Sequence, residues 1–306
     1  MTTPGSATDP TPTAAASRSV VDVLQPVRAL EGEGFPVRRS VPTPRIPQLD
    51  PFLTVDQVGP VALGPGEPRG GDPEHPHRGF ESIAYVLDGD IEYADSTGSR
   101  GVVRPGGVRW LTAGAGVLDT ARPTAAFREA GGLQHHLQIW VNLPARLKGV
   151  RPRTRHRGAE LIPVVRELDG SWFKVIAGTA LGVTGPFPTL VPVTVVHASV
   201  APGSSAVLPA PAGRNAAVYV LSGSGKAASR ELVDGDLAVL AHDGDSVRVE
   251  GGPVGADLLF LSGEPIGEPV VRSGPFVMNT PQEIDRAFDD YANDRLGRYE
   301  DCRYED

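Results

Sequence analysis

The sequence predicts an all-β fold, two β-barrels in tandem closed by a single C-terminal helix. Three observations predict it. The 306 residues include 37 glycines and 30 prolines without a collagen-like period, so turn residues cut the chain into short runs that favour strands over long helices. Between these breakers the apolar residues either alternate or form short continuous stretches, the two patterns of half-buried and fully buried strands. The run "NAAVYVLSGSG" (215–225) then repeats the earlier "ESIAYVLDGD" (81–90), an apolar strand closing on a tight turn, which marks an internal repeat of the fold. A chain of 306 residues lets each half bury its own core.

In chain order, residues 1–19 are rich in Pro, Thr, Ser and Ala and predict a disordered tail; they lack the initial positive region and apolar core of a secretory signal. Residues 20–145 predict the first barrel. Within it "SIAYVLDGDIEYADSTGSRGVV" (82–103) predicts a hairpin meander, with an Asp-Gly turn, an alternating strand carrying Ile91 and Tyr93 on one face, and a Ser-Thr-Gly-Ser turn. "LQHHLQIWVNLP" predicts a strand with Leu133, His135, Leu137, Ile139 and Val141 on one face and Gln134, His136, Gln138, Trp140 and Asn142 on the other, ended by Pro144. Residues 146–159 are basic and poor in apolar side chains, the composition of a linker. Strands resume in "LIPVVREL", "SWFKVIAGTALG" and "VTVVHASVAPGSSAVLPAP", so residues 160–280 predict the second barrel. In residues 281–306, Thr280 as N-cap, Pro281 at the first helical position and Glu283 predict a capping box opening a helix to about Leu296; Ile284, Ala287, Phe288 and Tyr291 form its apolar face and Gly297 its stop.

The formal charge of −8 is spread along the chain with no polybasic block to neutralise phosphates, which argues against direct nucleic-acid binding and for a protein or small-molecule partner. Cys302 is the one cysteine, so no disulfide or thiolate cluster forms and a reducing cytoplasm suits the chain. No apolar run approaches the roughly 18 residues of a membrane span.

The chemistry concentrates in "EHPHRGFESIAYVLDGD" (74–90). In an extended chain His75 and His77 point the same way, with Cα atoms about 6.5 Å apart, so two imidazoles can converge on one ion. A His-x-His pair alone is a weak signal. The segments around it are specific: "HPHRGFE", "RPGGVRWLTAGAGV", "LQIWVNLPA", "NAAVYVLSGSG" and "GPFVMNTPQEIDRAFDDY" together resemble the pirin family of two-domain bicupins, over about Val20 to Leu296.

The resemblance implies two cupin-type barrels, with one iron in the first, held by the histidines of His-Pro-His and by a histidine and a glutamate in a later Gly-x-Gly-x-x-His-x-Glu segment. Here that segment reads "GAGVLDTA", with Asp119 at the histidine position and Ala121 at the glutamate position. His75, His77 and Asp119 have the composition of a facial triad suited to iron(II). An aspartate is shorter than a histidine, however, so a weak or absent iron site is expected. Glu81 is a reserve ligand by the general cupin pattern. His135 lies where the family often has a pocket histidine, and His136 should face the other way. His197 and His242 have no partner at chelating spacing and are structural. Trp110 and Trp140 are core aromatics, one of which could line the pocket mouth. The second barrel has no histidine pair and should hold no metal.

Some pirins are similar to quercetin 2,3-dioxygenases, in which an iron-bound glutamate takes the flavonol proton; Ala121 removes that group. Other pirins regulate by binding transcription factors or metabolic enzymes. The expected function is therefore a non-catalytic regulatory or interaction protein with a degenerate metal site, taking a protein partner or a small aromatic ligand. The alternative is a quercetin 2,3-dioxygenase-like enzyme using His75, His77 and Asp119.

Overall fold

The computed structural model describes residues 16–32, 34–67 and 71–297; Cys302 and the first 15 residues of the expected tail lie outside them. The first half of the chain forms β1 (Val20–Leu24), β2 (Val27–Glu31), β3 (Phe35–Val41), β4 (Phe52–Leu63), β5 (Asp72–His77), β6 (Phe80–Asp88), β7 (Ile91–Asp95), β8 (Arg100–Val103), β9 (Val108–Thr112), β10 (Val117–Pro123), a short helix α1 (Ala125–Ala130), β11 (Gly132–Asn142) and β12 (Arg153–Arg157). The second half forms β13 (Val164–Arg166), β14 (Trp172–Ala177), β15 (Thr179–Ala180), β16 (Val183–Thr184), β17 (Val193–Val200), β18 (Ser205–Pro209), β19 (Asn215–Ala227), β20 (Arg230–Val233), β21 (Leu237–Leu240), β22 (Ser246–Gly263), β23 (Val271–Ser273), β24 (Phe276–Met278) and helix α2 (Pro281–Ala292).

The first barrel sets a seven-stranded sheet, β12-β9-β6-β11-β4-β3-β2, against a four-stranded sheet, β5-β10-β7-β8. Alternation along the larger sheet sends one set of side chains into the barrel and the other onto the second barrel. Ile83, Tyr85, Trp110, Ile139 and Val141 thus share one apolar core with Ile176, Val195, Tyr219 and Leu259. The second barrel is filled by its own apolar side chains, among them Phe173, Val196, Val218 and Phe260.

Three departures from the sequence expectations stem from pairings that local pattern does not encode. The Asp88-Gly89-Asp90 turn makes no hairpin, because β6 pairs with β9 and β11 while β7 pairs with β8 and β10. It is a corner between sheets, and Gly89 fits there with φ +79° where a Cβ would strike the Gln134 side chain. The segment taken for a linker carries β12, paired with β9 of the first barrel. Val20–Leu24, expected in the first barrel, pair instead with β21 of the second, and Arg18 just before them is buried, donating to the carbonyl of Arg214 at 2.8 Å.

Helix α2 opens on the expected capping box, with Thr280 and Glu283 bonded reciprocally. It stops at Ala292 rather than near Leu296, because the Asn293 side chain bonds back to the Asp289 carbonyl at 2.8 Å and Asp294 takes φ +53°. Ile284 and Ala287 are buried with Phe276 and Leu296.

The C-terminal hairpin β23–β24 is tied to the first barrel by Lys148, which donates to Gly79 O at 2.7 Å, Asn142 Oδ1 at 2.7 Å and Val277 O at 3.0 Å. Burial pulls the Lys148 amine down to about 7; its charged form sets three protons on three buried acceptors, so Lys148→Met should cost about 3 kcal/mol or more by stranding them. The check is the denaturant midpoint; a loss under about 1 kcal/mol would mean that other contacts hold the hairpin.

Candidate metal centre and ligand cavity

The two sheets of the first barrel enclose a cavity of about 370 Å³. Its lining includes Phe35, Val58, Val86, Ile91 and Val103, and Arg272, Gly274 and Pro275 of and beside β23–β24. Gln134, His136, Gln138 and Trp140 line it from β11, so the predicted face split of that strand holds. The pocket histidine of the pair is therefore His136. His135, its neighbour on the alternate face, points to the other barrel, where its Nε2 meets Gln57 at 2.8 Å. Trp140 lines the cavity and stacks on Phe80 with ring centres 4.1 Å apart, while Trp110 packs on Phe187 between the barrels. Buried polar atoms without a partner among the described residues gather here: both amide atoms of Gln134, His136 Nδ1 and Trp140 Nε1. Such a wall suits a ligand with its own hydrogen-bonding groups.

At one end of the cavity β5 and β10 run antiparallel with Asp119 directly opposite His75. This register brings His75, His77 and Asp119 together, their ligand atoms all within 4.8 Å of one another, and the three could hold a metal ion. His75 Nδ1 lies 2.8 Å from Pro73 O, which makes it the N–H and leaves the Nε2 lone pair facing the centre. The His77 Nε2 sits 2.9 Å from His75 Nε2, so His77 donates and keeps its proton on Nε2. Its Nδ1 is buried without a partner among the described residues. Binding an ion through His77 Nε2 would move that proton to Nδ1, which has no acceptor there. A histidine ligand ordinarily gives its second N–H to a neighbour, and a buried unmet N–H costs about 1–3 kcal/mol. Burial first, with the nearby Arg109 charge, holds the His77 imidazolium well below its ordinary pKa, so His77 is neutral.

The carboxylate is also engaged. Arg109 on β9 donates to both oxygens of Asp119, from Nη1 at 3.0 Å and from Nη2 at 2.7 Å, and Nη2 reaches Asp95 at 3.1 Å. Arg109 lies over the Tyr93 ring, 4.1 Å from its centre, and Arg109 and Asp119 are each 5% exposed, so the fork is sheltered from water. Burial pushes the Asp119 carboxyl up against the opposing pull of Arg109. Ala121, two residues on, lines the cavity and offers no ligand.

Glu81 belongs to the opposite face of the sheet. It is buried and accepts from Thr112 Oγ1 at 2.7 Å, away from the histidines, and so supplies no reserve ligand. His197 is structural, its Nδ1 2.7 Å from the Tyr85 hydroxyl across the barrel seam, and His242 Nε2 lies 3.2 Å from Asn215 Oδ1. Sequence reasoning missed Arg109. It stood within a quoted motif, but only the strand pairing reveals that it and Asp119 face each other.

Comparison with known proteins gives a consistent answer. The pirin family model matches residues 34–141, and the model of the pirin C-terminal cupin domain matches residues 195–297. Human pirin is 37% identical over 87% of this chain and 90% of its own length. A pirin-like protein of Arabidopsis thaliana is 38% identical over 94% of this chain and 93% of its own length. Among solved structures, the quercetin 2,3-dioxygenase of Acinetobacter baumannii superposes with a TM-score of 0.87 at 32% identity, covering 92% of this chain and 99% of that one.

Proposed function

The chain belongs to the pirin family, and from that premise we propose that it is a non-catalytic interaction protein, binding a small aromatic molecule in the first barrel and iron weakly or not at all. One observation carries this: Asp119, the carboxylate grouped with His75 and His77, has both oxygens held by Arg109. The fork leaves each oxygen a lone pair, but the pull of the guanidinium lowers the affinity for a proton that a general base needs. With Ala121 at the glutamate position, the cavity keeps recognition groups but has no carboxylate where the family's base would stand, and two other lining carboxylates, Glu31 and Asp56, are bonded to Arg39. A regulatory role, in which the filled barrel is presented to a protein partner, tolerates this loss.

A second reading has an observation in its favour. The His75 Nε2 lone pair faces the centre, and the chain is similar to a quercetin 2,3-dioxygenase. Iron held by His75, His77 and Asp119 would supply the redox chemistry that dioxygen requires. Asp119 would then serve as ligand and base together while still held by Arg109.

Flavonol binding and turnover separate the two. Quercetin should quench the tryptophan emission through Trp140, with an affinity unchanged by chelator, and iron-supplemented protein should consume no oxygen above background. Oxygen uptake matched to quercetin loss would establish the enzyme.

A further inference from the structure

The charged groups that line the first-barrel cavity are spent on one another. Arg39 bonds Asp56 and Glu31, Arg109 bonds Asp119 and Asp95, and Arg122 bonds Glu92. Arg272 donates to the Thr54 hydroxyl at 3.1 Å and lies 4.6 Å from the centre of the Trp140 ring, and Asp56 and Glu31 pull on its proton against burial and the Arg39 charge. Asp72 is likewise engaged. Among the described residues the lining thus leaves no charge that asks for a counter-ion.

What the wall leaves unanswered is neutral. Gln134, His136, Gln138 and Trp140 stand two residues apart on one face of β11 and share the cavity with Phe35 and Val86. Gln134 is 1% exposed, and neither its amide oxygen nor its amide nitrogen has a partner among the described residues. Gly89 passes over it without the Cβ that would strike Oε1, so the corner encloses the amide without bonding it. His136 Nδ1 is also unpartnered, and burial above all pulls this ring down to about 4, so it too is neutral. Buried polar atoms are ordinarily paired, and an amide with both atoms open beside a cavity is a group held ready for a ligand.

We propose that Gln134 is the reading group of the cavity, and that its ligand is a neutral planar ring system carrying a donor and an acceptor side by side on one edge. A carboxamide meets such an edge with two parallel hydrogen bonds, the geometry by which glutamine reads adenine in DNA, and discriminates against a wrong edge by about tenfold to a hundredfold. Either orientation of the amide sets a donor beside an acceptor, so the match does not depend on which atom is the nitrogen. Two ring classes offer this edge: a lactam, through adjacent N–H and C=O groups, and an aryl hydroxyketone, through adjacent O–H and C=O groups. The apolar lining takes the faces of the ring.

The inference rests on the small-aromatic reading and deepens it, yet the two fail differently: oxygen uptake defeats the non-catalytic reading, and indifference to the ligand's edge defeats this one. Calorimetric titration of the full chain uses two pairs of probes, 2-quinolinone with its N-methyl derivative and quercetin with its 3-O-methyl ether. In at least one pair methylation, which removes the edge donor, should weaken binding about tenfold or more, and the pair affected identifies the source as lactam or hydroxyketone. Affinity for the unmethylated probe should change less than about twofold between about 50 and 300 mM salt, as for a neutral ligand. Gln134→Met keeps the length of the side chain and removes both polar atoms. It should bind the unmethylated probe about tenfold more weakly and its methylated partner within about twofold of the parent, because ligand edge and amide are coupled. Its denaturant midpoint should be unchanged or raised, since no bond within the protein is lost. Equal binding within both pairs, a methylation loss that persists in Gln134→Met, a strongly lowered midpoint, or no binding by either unmethylated probe would overturn the proposal.

Discussion

Arg109→Gln is expected to cost about 3–5 kcal/mol of stability and to make the protein responsive to divalent metal. The cost follows from burial. Arg109 is the counter-charge for Asp119 and contributes to Asp95, both almost wholly out of water, and removing one partner of a buried ion pair leaves an uncompensated charge. Asp95 keeps the hydroxyls of Thr97 and Thr154, so most of the loss falls on Asp119. The freed carboxylate sits in one group with His75 and His77, where a divalent ion can replace the missing charge. Manganese or nickel at a hundred times its dissociation constant should then return about 2.7 kcal/mol to the variant, while the parent gains little. Denaturant titrations with and without metal check this. If the variant binds metal more weakly than the parent, Arg109 orients Asp119 for the ion instead of competing with it, and the dioxygenase reading moves ahead.

The second large effect is expected from restoring the two altered positions. Asp119→His with Ala121→Glu should raise iron affinity by on the order of 10²-fold per ligand, since tight four-ligand sites are worth about 10–16 kcal/mol in all. His75 and His77 already converge, and Ala121 already lines the cavity, so the scaffold needs only side chains. Either substitution alone should recover less than half of the logarithmic gain, because ligands of one ion are coupled. Adding Arg109→Gln should increase the gain further by removing a buried cation beside the ion. Competition with a calibrated chelator gives the numbers. Affinity no better than the parent's would locate the obstacle elsewhere, first at the unmet Nδ1 of His77.

Much of this was legible in the sequence, and what was not has a common cause. The period-2 alternation of residues 133–142 placed Gln134, His136, Gln138 and Trp140 on one face, and the His-x-His spacing placed His75 and His77 together, because both are properties of a single extended strand. The capping box at Thr280 was equally local. Local pattern could not say which strand lies beside which. It therefore left β12 as a linker, put β1 in the wrong half and took the Asp88–Asp90 corner for a hairpin. The same limit hid the Arg109–Asp119 pair, which exists only because β9 and β10 belong to facing sheets. Glu81 illustrates it too: its strand position fixes a face, but only the packing of the barrels decides that this face looks away from the histidines.

The most direct test of the central claim, that Asp119 serves Arg109 rather than a metal, is the metal content of the protein after loading with iron(II) under nitrogen and washing with chelator. Bonds from Arg109 to both carboxylate oxygens and a His77 Nδ1 without an acceptor among the described residues predict well under a tenth of an equivalent retained, about the background of a protein without a site. A full equivalent, lost on Asp119→Ala, would contradict the account and make Asp119 a working ligand.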